Sequence, residues 1–120
     1  MNIMHVGLLV SDLSAAGSFY GDILGLEMAE RPDLGFPGLF FDLAGGQQIH
    51  LMQLDNPYRD CSRPAHGGRD RHVALSTDDL NAIRNKLDAA HISYTLSKSG
   101  RAALFTRDPD GNVIELCETV

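Results

Sequence analysis

A chain of 120 residues, 43% hydrophobic and 22% charged, has the length of one domain. It can bury about two-thirds of its unfolded surface without disulfides or a structural metal. Sixteen acidic against ten basic side chains give a net charge of −6, which speaks against nucleic acid and against an anionic membrane surface as partner. No apolar run approaches the ~20 residues of a membrane span, and Cys61 and Cys117 stand too far apart for a thiolate zinc motif. The N-terminus lacks the basic and apolar regions of a signal peptide, so a cytoplasmic domain is expected.

The chain opens on Met4-His5-Val6-Gly7-Leu8-Leu9-Val10, apolar enough for a buried strand, with His5, Gly7 and Leu9 on one face. Ser11 and Asp12 offer side-chain oxygens to cap a helix. Leu13, Ala16, Tyr20, Ile23 and Leu24 then form one helical face, and Gly25 provides the stop. Short strands are expected near 27–31, 38–44 and 47–53, the last two separated by the turn signal Gly45-Gly46. Residues 54–70, with Pro57, Pro64, Gly67 and Gly68, read as a long loop.

After the loop the opening pattern returns. The segment from His72 to Leu80 lays over the segment from His5 to Leu13 with five of nine residues identical. A second amphipathic helix follows, capped by Asp78 or Asp79, with Leu80, Ile83, Leu87 and Ala90 inward. Strands are expected near 93–97, 101–107 and 112–118, with Asp108-Pro109-Asp110-Gly111 as a turn. Ile49-His50-Leu51 corresponds to Ile114-Glu115-Leu116, 65 residues on, close to the 67 that separate His5 from His72. The expected fold is therefore α+β, a duplicated βαβββ unit with modules at approximately 1–56 and 69–120.

Four ionisable residues occupy two pairs of equivalent positions: His5 with His72, and His50 with Glu115. Strand parity turns each away from the helix-packing face. Imidazole nitrogens and a carboxylate oxygen are the ligands that a divalent first-row ion accepts, and three or four of them with an open position describe a catalytic site. One histidine in a strand is more often a hydrogen-bonded core or surface residue, and a glutamate in an edge strand can simply face solvent. The coincidence at duplicated positions favours metal. His66 and His91 lack that support and are expected to be solvated. Arg59, Arg63, Arg69 and Arg71 could hold an anionic substrate, but Asp55, Asp60 and Asp70 interleave with them, and a solvated loop with a few ion pairs is the expectation. The segment from Phe36 to Phe41 serves either core or pocket, and Cys117 shares the face of Glu115 without a group that would activate it.

At these residues the sequence resembles the vicinal oxygen chelate superfamily of glyoxalases, bleomycin resistance proteins and extradiol dioxygenases. The resemblance is carried by His5 with Asp12-Leu13, Ser18-Phe19-Tyr20, Leu24-Gly25-Leu26 and Ile49-His50-Leu51. The second half adds Arg71-His72-Val73-Ala74-Leu75 and the run from Asp108 to Leu116. It implies two βαβββ modules forming a cup-shaped mixed sheet, a homodimer, and a divalent ion (zinc, nickel, cobalt, manganese or iron) at His5, His50, His72 and Glu115. The implied activity is that of a glyoxalase-like lyase or isomerase. It would act on a small oxygen-chelating metabolite through a metal-stabilised enediolate-like intermediate, with Glu115 or His50 as base. The pattern departs from glyoxalase I in having His50 where Glu or Gln is usual. It also has Leu9 where that enzyme carries a basic residue for glutathione. An extradiol-type dioxygenase, a thiol transferase, and a drug- or metabolite-binding resistance protein without turnover are the alternatives.

Overall fold

The computed structural model describes residues 1–119 and divides into two compact units, Met1–Asp60 and Cys61–Val120. In the first, strand β1 (His5–Val10) leads into helix α1 (Leu13–Gly17) and then strands β2 (Glu27–Ala29), β3 (Gly38–Asp42) and β4 (Gln48–Gln53). In the second, β5 (His72–Thr77) leads into α2 (Leu80–Ala89), β6 (Tyr94–Leu96), β7 (Ala103–Arg107) and β8 (Val113–Glu118). Each unit forms a four-stranded mixed sheet, in the orders β1-β4-β3-β2 and β5-β8-β7-β6. In each, the first and last strands run parallel and the remaining pairs antiparallel. A parallel pair needs a long crossover, and here the helix and the two intervening strands provide it.

Alternation decides what each sheet buries. Val10, Phe41, Ile49 and Leu51 are buried in the first unit, and Leu104, Ile114 and Leu116 in the second. The α2 side chains Leu80, Ile83 and Leu87 are buried with them. Asp12 caps α1 by accepting from the backbone N–H groups of Ser14 and Ala15, and Asp79 caps α2 through that of Ala82. Both helices thus begin where an aspartate satisfies otherwise orphaned donors.

The first helix departs from the expected continuous α-helix. After Gly17 the chain widens into a π-helical turn, Ser18–Ile23, closed by Leu24 N–H donating to Phe19 O at 3.0 Å. The widening buries the adjacent Phe19 and Tyr20 together, at 2% and 0% exposure, whereas the helical spacing alone points only Tyr20 inward. Gly25, at φ +73, then releases the chain; a side chain there would be strained. Among the described residues no helix is long and apolar enough to cross a membrane.

Candidate functional site

The strand register places the candidate residues in equivalent positions of the two sheets. In the first unit Gly7, His50 and Phe40 lie side by side across β1, β4 and β3. In the second, Ala74, Glu115 and Phe105 lie side by side across β5, β8 and β7. His5 and His72 stand two residues before Gly7 and Ala74, on the same faces. These faces are opposite to those carrying Ile49 and Ile114; in the second sheet both faces of β8 are buried, with Val113 and Glu115 on one and Ile114 and Leu116 on the other.

In the second unit, His72 and Glu115 meet. Glu115 is buried, at 4% exposure, and is not the solvent-facing glutamate that an edge strand would present. Its Oε1 accepts from Arg101 Nη2 at 2.7 Å, and its Oε2 lies 3.5 Å from His72 Nε2. His72 Nδ1 lies 2.8 Å from Asp70 O. A carbonyl only accepts, so Nδ1 carries the proton, and in the neutral ring Nε2 presents a lone pair toward Glu115. Two electron-rich atoms at that distance call for a proton or a cation between them. A histidine oriented through Nδ1–H by a backbone carbonyl is also the outer-shell arrangement common to metal ligands. This pair fits a divalent ion.

Asp70 is itself held firmly. Burial pushes its carboxyl up, but hydrogen bonds from Arg107 and Arg63 outweigh that and bring it down to about 2. The bonds are 2.9 Å from Arg107 Nη1 and 2.7 Å from Arg63 Nε. Of the four loop arginines, Arg63 is thus a structural ion pair, while Arg59, Arg69 and Arg71 are exposed. His66, expected in solvent, is half-buried: its Nδ1 accepts from Gly68 N–H at 3.0 Å, capping a short helical turn, and its ring lies 5.1 Å from that of Phe105. A glycine-rich turn packed against β7 leaves this histidine a protein donor in place of water. His91 is exposed, with φ +56, just past the end of α2.

In the first unit, His5 and His50 also meet, but as a stack. Their ring centroids are 4.0 Å apart, and on its other face His50 stacks on Phe40 at 3.5 Å. His50 Nε2 lies 2.9 Å from Gln48 Oε1, while Gln48 Nε2 donates to Asp42 Oδ1 at 2.9 Å. The carboxylate accepts only, so it fixes the amide with its NH₂ toward Asp42 and its oxygen toward His50. His50 therefore carries its proton on Nε2 and leaves Nδ1 basic. Burial lowers its pKa, helped by the neighbouring charges of His5 and Arg31. Parallel rings direct their in-plane lone pairs side by side, so both reach one ion only if a ring rotates. Rotation of His50 would break its contacts with Gln48 and Phe40. His5 is exposed and free of such ties, and fits a ligand better than His50 does. Among the described residues, no three metal-binding side chains of either unit lie together.

Four residues outside the repeat signal complete these surroundings: Arg101, Gln48, Asp42 and Arg31. The aromatic segment divides its roles, with Phe41 in the core and Phe40 against His50. Cys117 shares the Glu115 face and donates a hydrogen bond to that carboxylate. Burial raises its thiol pKa, so it stays protonated.

The comparisons with known proteins agree on the family and the fold. The family model for the Glyoxalase/Bleomycin resistance protein/Dioxygenase superfamily matches residues 2–116. The chain is 29% identical over 122 residues to Glyoxylase I 4 of Arabidopsis thaliana, covering 97% of this chain and 70% of that one. It is 25% identical over 124 residues to human mitochondrial methylmalonyl-CoA epimerase, covering 93% and 70%. The crystal structure of lactoylglutathione lyase from Agrobacterium tumefaciens superposes with a TM-score of 0.68 at 30% identity, over 98% of this chain and 92% of that one.

Proposed function

From its membership of the Glyoxalase/Bleomycin resistance protein/Dioxygenase superfamily, to which this chain belongs, we propose that it is a divalent-metal-dependent enzyme of lyase or isomerase type. Its substrate is a small metabolite with adjacent oxygens, and its reaction moves a proton on the carbon beside them. The observation that carries the reading is the His72–Glu115 pair, with imidazole Nε2 3.5 Å from a buried carboxylate oxygen. His72 and Glu115 would hold the ion in the second unit; in the first, His5 is better disposed as a ligand than His50, whose ring would have to turn. When bound, the ion supplies a Lewis acid that lowers the cost of negative charge on the substrate oxygens.

The protein's own groups do the rest. Arg101 orients Glu115 through Oε1, leaving the second oxygen for ligation or for accepting a proton from carbon. His50 is the complementary base. Its lowered pKa keeps it neutral near pH 7, and Gln48 leaves Nδ1 as the atom that takes the proton. The reading includes a homodimer, which sedimentation equilibrium tests directly.

The deciding measurement is metal content after loading untagged protein with zinc, nickel, cobalt, manganese or iron, followed by proton–deuterium exchange on lactoylglutathione and on small hydroxycarbonyl compounds. About one ion per chain, lost in His72→Ala, is expected. Failure of all five metals to bind overturns the proposal.

A further inference from the structure

On the same face of the first sheet, one cation stands without a carboxylate. Arg31 makes one hydrogen bond, from Nη2 to Phe36 O at 2.9 Å, and among the described residues it enters no ion pair. Its Nε is buried with no partner. The guanidinium lies over two aromatic rings, 4.9 Å from the centroid of Phe36 and 5.7 Å from that of Phe40. Phe40 in turn stacks on His50.

Gly38 shares the face of Phe40 and His50 by register. A Cβ on it would collide first with the backbone carbonyl of Leu51 and would also fall 2.8 Å from both Arg31 Cζ and Nε, so the guanidinium lies closely against β3 at this glycine. A guanidinium held by ring faces and one carbonyl keeps most of its N–H donors for something else. A charged donor left buried and unpaired is costly, and an anion that pairs with the guanidinium offsets that cost. The other charges close to His50 are positive or neutral as well: His5 stacks on it, and Gln48 stands between it and Asp42. The strip is short of negative charge, and a fork of parallel N–H groups is the donor that planar oxyanions match.

We infer that Arg31 is an anion subsite: the substrate carries a carboxylate or phosphate that docks on its guanidinium, while the adjacent oxygens lie toward His5 and His50. The inference rests on the proposed function for the placement of the reacting oxygens, but not for the anion contact. It makes Arg31 a specificity-determining residue and the substrate class a small hydroxy or oxo acid, or its phosphorylated counterpart, in preference to a neutral carbonyl compound.

The test uses metal-free full-length chain, so that it does not depend on the metal. Proton–nitrogen correlation spectra follow the Arg31 Nε–H signal, and the Gly38 and Phe40 amides, during titration with glycolate, with methyl phosphate, and with uncharged ethylene glycol at physiological salt. A saturable shift with one or both anions and none with ethylene glycol is expected, and whichever anion shifts the signals identifies the group. Arg31→Lys should weaken that binding by about tenfold or more, as for loss of a charge-assisted hydrogen bond, while amide dispersion shows it folded. Arg31→Gln should abolish binding. Equal response to ethylene glycol, no response to either anion, or unchanged binding in folded Arg31→Lys overturns the inference. Metal content measured in parallel separates the two readings: metal without anion binding sinks the subsite alone, and anion binding without metal sinks the proposed chemistry alone.

Discussion

The two halves put different chemistry at equivalent positions. In the second, a buried carboxylate is held through Oε1 by Arg101, and a histidine oriented by a backbone carbonyl lies 3.5 Å from its Oε2. In the first, two imidazoles stack with an aromatic ring, and the nearby charge is cationic. Duplication preserved the register, with Phe40 beside His50 as Phe105 is beside Glu115, and only the group at the second position changed from acid to imidazole or the reverse. A carboxylate fixed by Arg101 suits holding an ion. An imidazole with a lowered pKa and one bare nitrogen suits moving a proton. On the proposed function the asymmetry assigns an anchor to the second half and a base to the first, and it can be broken from either side.

The largest effect is expected at the anchor. Glu115→Ala removes the only carboxylate among the four candidate residues and leaves Arg101 without its partner, so metal content should fall to background. Any metal-dependent turnover should drop by about a thousandfold or more; metal content and turnover measured on the same sample check this. Next comes His50→Gln, which keeps a polar group of similar reach but no basic nitrogen. If His50 is the base, kcat should fall by about a hundredfold or more with metal content unchanged. Loss of metal in this variant would instead make His50 a ligand and erase the proposed division.

Much of this organisation is written in the sequence because it depends on local rules. Asp12 and Asp79 cap helices as their spacing predicts, and alternation sends Ile49 and Ile114 to one face and His50 and Glu115 to the other. The π-helical widening at Ser18–Ile23 was not legible, because it follows from burying Phe19 together with Tyr20 against the sheet. Arg101 and Arg31 were not legible either. They reach their places from turns, where no periodicity constrains direction, and only the folded sheet brings Arg101 to Glu115 across 14 residues. His66 departs from its expected solvated place for a related reason: a glycine-rich loop reads as solvated, and its packing against Phe105 is a tertiary fact.

A smaller effect is expected at Asp70, which supports the anchor from behind. Its folded pKa of about 2 lies below the ordinary 3.8. The stability it contributes is therefore fully present above pH 3.8 and is lost as pH falls through 2. Asp70→Asn should lower stability at pH 7 by about 2 kcal/mol, since it leaves Arg63 and Arg107 sharing a neutral partner. It should also flatten the acid limb of the stability profile between those values. Denaturant titrations at pH 7 and at pH 3 check both statements. Equal losses at the two pH values would mean that the carboxylate charge is not what holds the loop.

The smallest effect separates tautomer control from simple packing in the first half. Asp42 orients the Gln48 amide, and the amide oxygen accepts from His50 Nε2. Gln48→Leu removes that acceptor while keeping most of the side-chain volume, so the ring no longer prefers the tautomer with a bare Nδ1. The tautomer energy at stake is that of one hydrogen bond, about 1 kcal/mol, and kcat should fall by about fivefold while KM holds. Gln48→Glu combined with Asp42→Asn serves as the restoring variant, because a carboxylate still accepts from Nε2 while the new amide at position 42 donates to its other oxygen. It should keep the tautomer and, by its charge, raise the His50 pKa and move the pH–rate profile upward. Nitrogen chemical shifts of the imidazole report the tautomer independently of turnover. If Gln48→Leu leaves both those shifts and kcat unchanged, the His50 orientation is set by its stacking on Phe40 alone, and the first half owes its bare nitrogen to ring packing.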